Sequence, residues 1–284
     1  MTRPGWAAPP PIPRAPAARA ALLALLVAVA APGAPGGPRV PPPVLYRAAQ
    51  LDCSRYRQHT ESQIETSVAG RIRRETAGLA GLWVVRARAA APDSILLEAW
   101  WDTLSVWRRS RDTTLRPDTD GILGGRYRGV LTPDGLYAAT ARPFVPDEVA
   151  EVMDLGSAAE DLLPRLPPVP LGVGQSWWSA DSALEIRRLD DSLAAERLAR
   201  FREAARRTVE RIRLRGDTTP LEARQTTREE GVFVWSERDG LVWRDRRIMV
   251  ETGIPARGRV RRPVRSRLEQ RVVLERVGSA CPSE

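Results

Sequence analysis

The chain has 284 residues, of which 43% are hydrophobic, 6% aromatic and 28% charged. That is enough apolar material for at least one sizeable core, and it excludes a tail or a linker. No apolar run reaches the roughly 18 residues that mark a membrane-spanning helix, which excludes a multi-spanning membrane protein. The formal charge is +9, and all 44 basic side chains are arginine. A basic set without lysine points to nucleotide-composition bias in the coding sequence, so part of the excess is inherited rather than selected for phosphate contact. The chain remains basic without Arg3, Arg14 and Arg19, which leaves an anionic envelope surface as an allowed partner.

In chain order, Arg14 and Arg19 precede an apolar run from Ala20 to Ala31, and Ala28-Val29-Ala30 supplies the small residues of a cleavage site. This predicts a secretory signal peptide over 1–34, a Pro/Gly-rich flexible leader over 35–45, and a single β-rich domain over 46–284. The run is too short for a membrane anchor. The expected location is the periplasm or the medium.

Cys53 and Cys281 are the only cysteines and lie near the two ends of that domain. In an oxidising compartment an even pair favours a disulfide, with two inert buried thiols as the alternative. A Cys-x-x-Cys redox pair is absent, and one histidine cannot complete a zinc site.

Alternation of apolar and polar residues predicts strands from Ile64 to Ile72, Leu79 to Arg88 and Ile95 to Val106. Thr132-Pro133-Asp134-Gly135 predicts a hairpin turn between strands over 126–131 and 136–142. Pro146-Asp147 opens a short helix through Leu155, and Ser157-Ala158-Ala159-Glu160 has the form of a capping box before Pro164. Leu166-Pro167-Pro168-Val169-Pro170 is an extended connector. Ala194, Leu198, Phe201, Ala205, Val209 and Ile212 recur at helical spacing, with Glu196–Arg200 and Glu203–Arg207 pairs four apart, and predict a helix packed on a sheet. Gly231 to Ser236 and Leu241 to Thr252 form a second hairpin about Asp239-Gly240. In the final strand, Val264 to Val277, the row Val264, Ser266, Leu268, Gln270, Val272 and Leu274 faces inward.

The expected fold class is α+β: a long-stranded curved antiparallel sheet, a one-sided barrel of about nine strands, with one or two helices packed over the concave face. The export signal, the long amphipathic strands, Leu163-Pro164-Arg165-Leu166-Pro167 and Gly172-Val173-Gly174-Gln175-Ser176-Trp177 together resemble an uncharacterised family of bacterial secreted β-rich proteins. Over roughly Tyr46 to Val277 the layout is similar to the one-sided barrel of periplasmic lipoprotein carriers. That resemblance implies a concave sheet face that holds acyl chains, and it carries over no individual functional residue.

Eight tryptophans fall in the domain: Trp83, Trp100, Trp101, Trp107, Trp177, Trp178, Trp235 and Trp243. Trp83, Trp101, Trp177, Trp235 and Trp243 are the candidate lining of a cleft for a lipid or other apolar small molecule; the alternative is that they fill and rim a large core. Other candidates read as structural. Asp118-Thr119-Asp120-Gly121 lacks the later ligands of a calcium loop and reads as a polar turn. The run Arg257, Arg259, Arg261, Arg262, Arg265 and Arg267 is broken by Pro255 and Pro263, with no nucleic-acid motif beside it. His59, the only histidine, reads as an exposed strand residue, and Asp190-Asp191 stays open as a carboxylate pair.

No catalytic residue, metal or cofactor is expected. The sequence supports an exported non-enzymatic protein that binds a lipid or apolar ligand, against a structural or protein-interaction module of the cell envelope with a filled core and no ligand.

Overall fold

The structure, a computed structural model, describes residues 43–193, 197–212, 221–256 and 262–281. The expected signal peptide over 1–34, most of the expected leader, Ala194 and Glu196 of the expected helix, and the arginines Arg257, Arg259 and Arg261 lie outside those residues. The described chain belongs to one compact unit, Val40–Glu284.

The first strand, β1 (Ser54–Val68), lies in the middle of a single antiparallel sheet rather than at its edge. On one side it pairs with β2 (Arg71–Ala91), followed by β3 (Ser94–Arg109), β5 (Tyr127–Leu131) and β6 (Tyr137–Ala141), with β4 (Thr114–Leu115) also on β3. On the other side it pairs with β12 (Val264–Ser279), followed by β11 (Gly240–Ile254), β10 (Leu221–Ser236), β9 (Arg197–Ile212), β8 (Leu184–Leu193) and β7 (Ser176–Trp178). The sheet is curved and unclosed, and β6 and β7 are its two edges. Residues 142–175 therefore have to cross from one edge to the other, and they do so over the inner face. This strap contains the helix α2 (Asp147–Val152); the other helix, α1 (Ala48–Leu51), precedes β1.

Among the described residues twelve strands replace the nine expected: β4 and β8 were not read from the sequence, and β9 was read as a helix. Ala69 and Gly70 hold φ of +50° and +82° and make a two-residue turn between β1 and β2. Such a turn matches the twist of the strands it joins. The run from Ile64 to Ile72 is therefore the end of one strand and the start of the next. β1 itself begins ten residues earlier, at Ser54.

Over 197–212, the described part of the helix expected from Ala194 to Ile212, the chain is a strand, β9. β9 pairs with β10 on one side and β8 on the other, so Ala199, Phe201 and Glu203 point inward while Arg200 and Arg202 point out. The period-two pattern was masked because one inward position carries a carboxylate, Glu203, and the inward positions Ala199 and Ala205 carry only alanines. Pairing on both sides overrides the helix propensity of an Ala/Glu/Arg-rich stretch. The capping-box segment Ser157–Glu160 is likewise a series of turns and not a helix. The sheet is as expected in class, while the helical contribution among the described residues is the four residues of α1 and the six of α2.

Cys53 and Cys281 are joined in a disulfide with their Cα atoms 4.6 Å apart and 228 positions apart in sequence. Ser54 pairs with Ser279 beside it, so the bridge fastens the two ends of the domain at the central strand pair. The double variant Cys53→Ser/Cys281→Ser is expected to lose about 3–5 kcal/mol in urea unfolding, as closing so long a loop implies. An unchanged midpoint would contradict that role.

Candidate ligand-binding face

The inner face of the sheet has two ends. At the end carrying the disulfide, Trp83 and Trp101 lie on paired positions of β2 and β3 with ring centroids 3.7 Å apart, and Tyr127 stands 5.3 Å from Trp83. Tyr46 meets Trp235 edge-on at 4.8 Å, and Phe201 stacks on Phe233 at 5.0 Å. All of these rings are buried. Val149, Val152, Leu155, Leu162 and Leu166 of the strap are buried against the same core.

An irregular segment laid on an apolar core brings carbonyl groups that need donors. The sheet and its flanks supply them from side chains. Arg108 Nη1 donates to Glu151 O at 2.8 Å, Tyr127 Oη to Leu155 O at 2.7 Å and Arg244 Nη1 to Asp161 O at 2.9 Å. Tyr46 Oη donates to Pro164 O at 2.9 Å, and Arg188 Nη1 to Leu171 O at 2.8 Å. Each arginine is held in turn by a carboxylate: Arg108 by Glu75, Arg188 by Asp191 and Arg244 by Glu203.

Arg244 and Glu203 form a two-pronged pair at 2.7 and 2.9 Å, both side chains under one-tenth exposed. Burial works against the charge on Arg244, but the Glu203 carboxylate outweighs it and holds the guanidinium above its usual pKa. The pair passes over Gly231, where a Cβ would stand 2.8 Å from Glu203 Oε1. Gly135 allows the strap an equally close approach: its φ is +85°, and a Cβ there would stand 2.5 Å from Pro164 O.

The five candidate tryptophans do not share one surface. Trp83 and Trp101 are fully buried, and Trp83 Nε1 donates to Gln58 Oε1 at 2.8 Å. Trp177 on β7 packs partly buried against the core. Trp235 lines a cavity of about 130 Å³ with Val44, Arg47 and Gln50. Trp243 is next to the inward Arg244 on β11 and so faces the opposite way. Trp100 also lies on the outer face, with the Arg126 guanidinium stacked 3.3 Å from its ring.

Beyond the strap, the inner face continues toward the β1–β2 turn as cross-strand rows. Ile64, Leu268, Val250 and Thr227 lie side by side on β1, β12, β11 and β10. Thr66, Ser266, Thr252 and Gln225 form the next row, and Val68, Val264 and Ile254 the one after. Ile64, Val250, Leu268, Val264 and Ile254 are only half-buried, unlike the aromatic side chains on the same face. Their outward neighbours Arg265, Arg267 and Glu269 are exposed. This distal face is apolar in alternate rows and is left open by the strap. From Arg246 to Ile254 it runs about 27 Å at about 3.4 Å per residue.

The remaining sequence candidates have ordinary partners. His59 is exposed in the middle of β1, 3.2 Å from Glu61. Asp190 pairs with Arg200 and Asp191 with Arg188. Asp118 accepts from the Asp120 backbone at 2.9 Å, capping its own turn, and Thr119 Oγ1 donates to Leu104 O at 2.7 Å. Of the basic run, Arg262, Arg265 and Arg267 are exposed, and Arg267 pairs with Glu269. Among the described residues the group of metal-ligating type is Asp52 with Cys53 and Cys281, whose sulfurs are engaged in the disulfide.

Sequence reasoning missed the buried charges among the described residues: Glu75, Arg188, Glu203, Arg244 and Arg246. In Trp243-Arg244-Asp245-Arg246-Arg247 both faces of the strand carry charge, so hydrophobic alternation gives no signal. The trace that could have found them is Phe233, Phe201 and Leu274, inward residues whose cross-strand partner is Arg244 or lies one strand from it.

No family profile matches the chain, and no curated protein matches it. Among solved structures, a DUF1329 family protein from Desulfovibrio piger aligns over 82% of this chain and 90% of its own length, at 10% identity and a TM-score of 0.18. At that score the likeness carries no argument about the fold. The disulfide is compatible with a periplasmic or extracellular protein, and no described helix is long and apolar enough to cross a membrane.

Glu203→Ala would leave Arg244 buried and uncompensated and is expected to cost about 3–5 kcal/mol in denaturant unfolding; a loss below about 1 kcal/mol would contradict the pinning role. Burial pushes the Tyr127 phenol up to about 12 and raises those of Tyr46 and Tyr56 as well. Because the folded value of Tyr127 lies above the ordinary one near 10, its contribution is fully present below about pH 10 and is lost as pH rises through about 12. The thermal midpoint is expected to fall across that window, and to fall less in Tyr127→Phe.

Proposed function

We propose that the chain is an exported, non-enzymatic binding protein of the periplasm or the medium that takes a lipid or other apolar ligand on the distal inner face of its sheet. The observation that carries this reading is the half-buried set Ile64, Val250, Leu268, Val264 and Ile254, on the same face as a core that is otherwise sealed. Apolar surface left on the inside of a curved sheet, between hydroxyl-bearing rows, is the kind of surface that an amphiphile covers with gain. The signal-peptide pattern, the disulfide and the layout similar to the one-sided barrel of lipoprotein carriers agree with it.

A second reading, an envelope interaction module with a filled core, is favoured by the packing of Trp83, Trp101 and the strap at the aromatic end. Native mass spectrometry of the mature chain after incubation with envelope lipids separates the two. The binding reading expects a stoichiometric lipid adduct that Leu268→Glu and Val250→Asp each abolish, with little change in thermal midpoint because neither side chain is fully buried. A clean apo mass for the unaltered chain would favour the module.

A further inference from the structure

Arg246 is the next inward residue after Arg244 on β11, at the boundary between the strap and the open rows. Its side chain is 6% exposed, yet it is far less satisfied than Arg244. Nη1 reaches Glu229 Oε2 at 3.3 Å and stands 3.6 Å from Asp161 Oδ1. Both carboxylates lie partly in solvent, at 31% and 67% exposure. Nε is buried without any hydrogen-bond partner among the described residues. An unsatisfied guanidinium N–H at this depth is costly, and the Nε side of the fork is one that carboxylates engage with two parallel bonds.

Arg246 lines a cavity of about 100 Å³ between the sheet and the strap, together with Thr60, Gln270, Asp154 and Asp161. A water takes roughly 30 Å³, so the space fits a few waters or one small oxyanion group. Polar groups converge on it: Gln58 Nε2 donates to Thr60 Oγ1 at 3.1 Å, and Gln270 Nε2 to Ser62 Oγ at 3.1 Å. Beside this polar row stands Ile248, and beyond it the open row of Ile64, Leu268 and Val250.

We propose that the ligand of the distal face is a long-chain carboxylate amphiphile, bound with its headgroup inward on Arg246 and its chain along Ile64, Leu268 and Val250. The inference rests on the binding function proposed above and adds the charge and the orientation of the ligand. Asp161 and Glu229 already stand against the same guanidinium, and Asp154 lines the same cavity, so a single negative charge is accommodated better than a phosphate carrying two.

Isothermal titration of the mature chain with dodecanoate and, separately, with dodecanol tests this. Dodecanoate is expected to bind about tenfold or more tightly than dodecanol, from charged hydrogen bonds the alcohol cannot make. Arg246→Gln is expected to remove that preference while leaving dodecanol binding in place. Asp161→Asn, an exposed change that relieves competition for Arg246, is expected to strengthen dodecanoate binding and leave dodecanol binding unchanged. Equal affinity for the two amphiphiles in the unaltered chain, or a preference that survives Arg246→Gln, overturns the headgroup assignment while the binding function stands. No binding of either overturns both.

Discussion

The fold depends on how an irregular strap is held across the inside of a sheet. The chain order leaves β6 and β7 at opposite edges, so the connection between them has to traverse the interior. A segment without regular secondary structure cannot satisfy its own carbonyls, and in a buried place that would cost more than its leucines and valines return. Arg108, Tyr127, Arg244, Tyr46 and Arg188 each supply a donor to a different carbonyl between Glu151 and Leu171. The arginines, two of them buried, are held in turn by carboxylates, Arg108 by Glu75, Arg244 by Glu203 and Arg188 by Asp191. Charge inside this protein is a consequence of its topology.

That arrangement divides the inner face. Where the strap lies, tryptophans, tyrosines and strap residues fill the space between themselves, so the largest aromatic side chains serve packing. Where the strap ends, the strands continue for several more residues with nothing described above them, and their inward side chains stay half-exposed. The proposed ligand surface lies at the distal end of this face, away from the aromatic cluster, and Arg246 stands at the junction of the two parts.

Much of this was legible in the sequence and some was not, for identifiable reasons. The inward row of β12, from Val264 to Leu274, was readable because its outward row is almost entirely charged. The β5–β6 hairpin was readable because Pro133 and Gly135 have direct dihedral meanings, and the Cys53–Cys281 pairing because few alternatives existed. β9 was misread because Glu203 occupies an inward position, so the alternation failed where a buried ion pair had been inserted. The strap between Pro146 and Pro170 could be recognised as irregular, but that it crosses the interior depends on strand order, which local pattern does not encode. The tryptophans were visible as a group; which of them point inward follows from register, and the bulge that shifts pairing between Leu82 and Trp83 has no mark in the local sequence.

Pinned at five carbonyls, the strap is a permanent part of the core and not an occupant that a ligand displaces. Amide hydrogen exchange over residues 147–166, followed with and without a saturating amphiphile, tests this most directly. Slow exchange of the strap in the free protein, unchanged on binding while protection rises over 248–252 and 264–270, is the predicted result. Fast exchange of the strap in the free protein, or a strap that loses protection when the amphiphile binds, would contradict it.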